Sequence, residues 1–73
     1  MGRSELIQAV LDVLRKNSGK MMESSLIKTL QSRYRDVTLM EVRKALLVME
    51  LNGIVRVHSL DDERKLISVV GVK

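Results

Sequence analysis

The sequence predicts an α+β fold in which three helices precede a C-terminal β-hairpin, within one domain spanning residues 1–73. Three observations predict it. Apolar residues recur at three- and four-residue spacing over residues 4–16 and again over 24–34, which is the period of an amphipathic helix. Thr38 and Glu41 stand at the spacing of a capping box ahead of a third such run. Beyond Asn52-Gly53, two β-prone runs at residues 54–60 and 65–72 flank the turn-like Asp61-Asp62-Glu63-Arg64.

In the first helix Leu6, Ile7, Val10, Leu11, Val13 and Leu14 supply the apolar face, with Ser4 as the expected cap and Glu5 placed to complement the helix dipole. It closes in Arg15 and Lys16. Asn17-Ser18-Gly19 follows as a stop signal whose glycine tolerates the left-handed conformation. Lys20-Met21-Met22 is too short for a helix and suits a brief extended segment. The second helix turns Leu26, Ile27, Leu30 and Tyr34 inward and leaves Lys28, Gln31, Ser32 and Arg33 to water, with residues 35–37 as the turn. The third begins after Thr38 and ends at Asn52-Gly53, and the two β-prone runs then pair as a hairpin.

Composition excludes several classes of function. The chain has 73 residues, 45% of them hydrophobic, with no Cys and one His. A chain of this length buries only about 60% of its unfolded surface, so a supporting partner is an expectation from the outset. Without Cys, and with His58 alone, neither a disulfide framework nor a thiolate or imidazole metal cage can be assembled. No Ser, Thr or carboxylate has the neighbours that nucleophilic or general acid-base chemistry needs, so no enzyme and no cofactor are expected. With Tyr34 as the only aromatic, a row of base-stacking platforms for single strands is absent. No apolar run is long enough for a signal peptide or a membrane span, which makes a cytoplasmic location the expectation.

The order helix, short strand, helix, turn, helix, strand, strand resembles the winged helix-turn-helix family, with a two- or three-stranded antiparallel wing. The most specific stretch is Thr38-Leu39-Met40-Glu41-Val42-Arg43-Lys44-Ala45-Leu46-Leu47-Val48-Met49-Glu50-Leu51-Asn52-Gly53-Ile54. It is similar to the family's run of a capping Ser or Thr, a Val followed by basic residues, Ala-Leu, a large apolar residue, Glu, and Gly entering the wing. The resemblance implies one of two roles. Many members are transcription regulators that place the third helix in the DNA major groove, often as dimers; others use the fold only to hold proteins together. Fold alone does not choose between them.

Helical angles of about 100° per residue, counted from Val42, put Thr38, Leu39, Ala45, Leu46 and Met49 on an inward stripe. The opposite half carries Met40, Glu41, Arg43, Lys44, Leu47, Val48 and Leu51, with Glu50 at its border. Base edges are read by hydrogen bonds and phosphates by charge, and there only Arg43 and Lys44 supply both. Leu39 and Met40 are candidates for thymine methyl groups. Lys28, Arg33 and Arg35 complete the expected phosphate set, with Arg56, Arg64 and Lys65 as a basic flank of the wing whose tip, Asp61 to Glu63, repels phosphate. Lys44 is also spaced for a surface ion pair with Glu41. His58 reads as an exposed strand residue.

Leu47, Val48 and Leu51, together with Met40 in a second candidate role, point to a protein interface. The hairpin is expected to shield Leu51 and part of Val48, and to leave Leu47 uncovered. Taken together, the sequence leads to a homodimeric regulator of transcription that reads duplex DNA with its third helix. The alternative is a winged-helix interaction module in a larger assembly that does not touch DNA.

Overall fold

A computed structural model describes residues 2–71. Its elements, in chain order, are α1 (Arg3–Lys16), β1 (Lys20–Met22), α2 (Glu23–Arg33), α3 (Leu39–Leu51), β2 (Val55–Ser59) and β3 (Lys65–Val69). The three strands form one antiparallel sheet in the order β1-β3-β2. This is an α+β layout compatible with a winged-helix-like arrangement, and the short extended segment expected at residues 20–22 is its third strand.

Ends of the elements differ from expectation in instructive ways. Gly2, not Ser4, occupies the N-cap of α1, with no side-chain cap bond. At the other end the Gly19 amide donates to the Leu14 carbonyl at 2.7 Å. The residue between cap and glycine is Ser18, at φ 63°, so the Schellman stop places a serine as well as the glycine in the left-handed region. α2 starts at Glu23, directly off β1, and Tyr34 is its C-cap, exposed at 36% and not on the inner stripe. β3 ends at Val69 and residues 70–71 form a turn, short of the expected run to Val72, which itself lies outside the described residues.

α3 is defined most sharply. The Glu41 amide donates to Thr38 Oγ1 at 3.2 Å, and the Thr38 amide donates to Glu41 Oε1 at 3.2 Å, so two orphan donors of the first turn are satisfied reciprocally. At its end the Gly53 and Ile54 amides donate to the Glu50 and Met49 carbonyls at 3.0 and 2.8 Å, with Gly53 at φ 70°. This second Schellman stop aims Ile54 back onto the core.

The core runs through every layer. Leu6, Ala9, Val10, Val13 and Leu14 of α1, Leu26 and Leu30 of α2, Val37, the α3 residues Val42, Ala45, Leu46 and Met49, then Val55 and Ile67, form one buried cluster. Register places Ile67 opposite both Met21 and Val57, so the middle strand presses its one fully buried side chain into the helices between two partly buried neighbours. Thr38 and Leu39, expected on the inward stripe, are exposed, because the first turn of α3 projects beyond the cluster.

Two substitutions test the helix ends. Thr38→Ala should lower stability by about 1 kcal/mol, or roughly 4–8 °C in Tm, by calorimetry. Gly53→Ala meets no atom within 4 Å. It should nonetheless cost on the order of 1 kcal/mol, because the left-handed backbone penalises a Cβ.

Candidate interaction surface on the third helix

α3 buries one narrow face and leaves the other apolar. Met40, Leu47 and Leu51 are exposed at 64%, 54% and 77%, and Val48 is half-buried. Leu51 is thus not shielded by the hairpin. A shared depression lined by Leu46, Leu47, Glu50, Val57 and Lys65 shows the reason. The hairpin flanks the Leu46 and Glu50 side of α3, whereas Leu51 and Val48 turn to the opposite side of Leu47, at roughly +40° and +100° on the helical wheel.

The cations expected to face DNA divide into engaged and free. Arg43 Nη2 lies 3.5 Å from Glu23 Oε1, and the Glu23 side chain is only 13% exposed. Glu23 heads α2 immediately after β1, where its charge also suits the positive end of the helix dipole. Sequence reasoning missed it, because the contact spans 20 positions and no local pattern announces it. Arg64 Nε sits 2.7 Å from Asp61 Oδ2. Lys44, Lys28, Arg33, Arg35 and Arg56 are exposed, and among the described residues none lies within 4 Å of a carboxylate oxygen. The Lys44–Glu41 pair that the spacing allows does not form; Glu41 Oε1 instead accepts the Thr38 hydroxyl at 3.1 Å.

The basic flank of the wing does not assemble. Arg56 and His58 stand opposite Ser68 and Leu66, while Lys65 stands opposite Ser59. Alternation therefore puts Lys65 on the helix-facing side of the sheet, where it joins Glu23, Arg43 and Glu50 around the depression beside α3. Arg56 and His58 share the outer side with Lys20, whose partner is also Ser68. The predicted set thus separates into the α3 face, the outer sheet face and the α2 surface. Glu23 and Glu50 are the functional candidates that the sequence did not single out, and both interleave carboxylates with Arg43 and Lys65.

The tip of the β2–β3 hairpin is organised by its acid. Asp61 Oδ1 accepts the Glu63 and Arg64 amides, each at 2.9 Å. The amide of Glu63 and the guanidinium of Arg64 hold the Asp61 carboxyl below its ordinary value of 3.8, against a small opposing effect of desolvation. Arg64 thus commits its Nε to the turn, beside a carboxylate that repels phosphate.

Among the described residues no helix is long and apolar enough to cross a membrane, and no group of three or more His, Asp or Glu is placed to hold a metal ion. Compared with known proteins, the chain matches no family model, no curated protein and no solved structure.

Because the folded-state pKa of Asp61 is depressed, the turn's contribution to stability is complete above the unfolded value and disappears as pH falls through the lowered one. Carbon-detected NMR titration should find Asp61 ionising below 3.8. A midpoint at or above that value would mean the acid does not hold the turn.

Proposed function

We propose that the chain is a winged-helix interaction module that docks protein through the outer face of α3. The observation that carries this reading is the exposure of Met40, Leu47 and Leu51 along one line of that helix. Apolar side chains at the centre of a convex helix offer no hydrogen bond to base edges, but they gain by leaving water against another apolar surface. The charges around them agree with this. Arg43 is held by Glu23, Glu50 borders the same face, and the wing tip presents carboxylates where a phosphate backbone would run. No catalytic step and no cofactor enter the proposal.

A second reading, a regulator of transcription on duplex DNA, is favoured by one observation. Lys28, Arg33, Arg35 and Lys44 are exposed without carboxylate partners among the described residues, on a chain of net charge +4. Such cations would bind phosphate in a strongly salt-dependent way.

Fluorescence anisotropy on a random-sequence duplex at low and at physiological salt separates the two. The docking reading expects no saturable binding at micromolar protein, and no change when Arg43 and Lys44 are both replaced by Ala. Binding that falls steeply with salt and is lost in that double variant would overturn it in favour of DNA.

A further inference from the structure

We infer that the partner of this face is a second copy of the chain, with α3 pairing antiparallel to α3 about a twofold axis at Leu47. The inference rests on the docking reading just given and adds the identity of the partner. It follows from how charge and apolar groups are distributed along α3.

Seven residues are close to two full turns, so side chains seven apart lie in one lengthwise row. The outer half of α3 has four such rows, of which three are exposed, Arg43 with Glu50, Met40 with Leu47, and Lys44 with Leu51, while Glu41 with Val48 forms a half-buried edge. In an isologous antiparallel contact each row meets its own copy reversed. Leu47 then meets the partner's Leu47 at the axis. Arg43 meets the partner's Glu50, and Glu50 meets the partner's Arg43. Lys44 lays its aliphatic stem over the partner's Leu51 while its ammonium reaches water.

The Arg43–Glu50 row is the discriminating feature. Reversed against itself it pairs opposite charges twice; in a parallel pair the two flanks exchange, so it faces the partner's Lys44–Leu51 row and sets Arg43 against the partner's Lys44 and Glu50 against the partner's Leu51. Like-charge contacts of that kind penalise the wrong partner or orientation. Glu23 assists, because its carboxylate, 13% exposed, holds the Arg43 guanidinium from the α2 side and leaves the outer edge of that group for the incoming Glu50. A stable interface takes about 800 Å² from each partner. One helix face on a molecule whose whole surface is 5048 Å² supplies less, so the dimer is expected in the micromolar range and reversible.

Sedimentation equilibrium of the full chain from low to high micromolar concentration tests this. Wild type should show a monomer–dimer equilibrium, and Leu47→Glu should be monomeric with an unchanged melting curve, since Leu47 is 54% exposed and outside the core. Arg43→Glu alone and Glu50→Arg alone should each weaken self-association at least tenfold. Mixing those two variants should recover a heterodimer, and the double variant Arg43→Glu/Glu50→Arg should recover the homodimer. A monomeric wild type, an unaffected Leu47→Glu, or charge reversals that fail to rescue one another would each overturn the inference. The duplex titration separates its failure from that of the broader reading. A monomer indifferent to DNA refutes self-pairing and leaves α3 as a dock for a different protein, whereas a monomer that binds DNA through Arg43 and Lys44 removes both.

Discussion

The domain depends on a constraint that falls on one helix: α3 must be seated by a single narrow face. Val42, Ala45, Leu46 and Met49 are buried to within a few per cent, and they touch a cluster drawn from all three helices and the sheet. A side chain on any other side of α3 has little to pack against. Because the helix cannot be enclosed, its position is fixed at its ends. The reciprocal Thr38 and Glu41 bonds begin it, and the left-handed Gly53 ends it and returns the chain to β2. Those two stops set which residues point outward, and therefore which surface the molecule presents.

That surface is apolar where a reader of base pairs would be polar, and Arg43, one of its cations, is held by a neighbouring acid. Glu23 and Glu50 matter for this reason. Each reduces the positive potential that the net charge of +4 would otherwise give the α3 face. Apart from Lys44 on α3 itself, the free cations are spread over α2, the turn after it and the outer side of the sheet, where they serve solubility as readily as contact. A net charge is thus a poor guide to one particular face.

Much of this was legible in the sequence. The capping box at Thr38 and Glu41 locates the start of α3 because it is a local device, complete within four residues. The inward residues of α3 followed from periodicity, with the exception of Thr38 and Leu39, which precede the point where the helix meets the core. What escaped notice depended on pairing across distance. The hairpin register was the clearest case. The run Lys65-Leu66-Ile67-Ser68-Val69 does not alternate cleanly, and a one-residue difference in register moves Lys65 from the face of Arg56 to the face of Arg43. The Arg43–Glu23 contact escaped for the same reason, since it requires α2 to start directly off β1 and bring Glu23 beside α3.

The sheet order has a consequence for the history of each molecule. Among the described residues β3 is made after β1 and β2 and is the only strand that touches both others, since β1 and β2 do not pair with each other. Until residues 65–69 emerge, β1 and β2 are strands without a sheet, and the helices lack Ile67 to close the core beneath them. Helical turns can form as the chain is synthesised, but the cooperative unit assembles only once Ser68 closes the long loop back to Lys20. A nascent chain halted before residue 65 would therefore be left without its central strand, with the apolar stripes of three helices open to the first hydrophobic surface they meet.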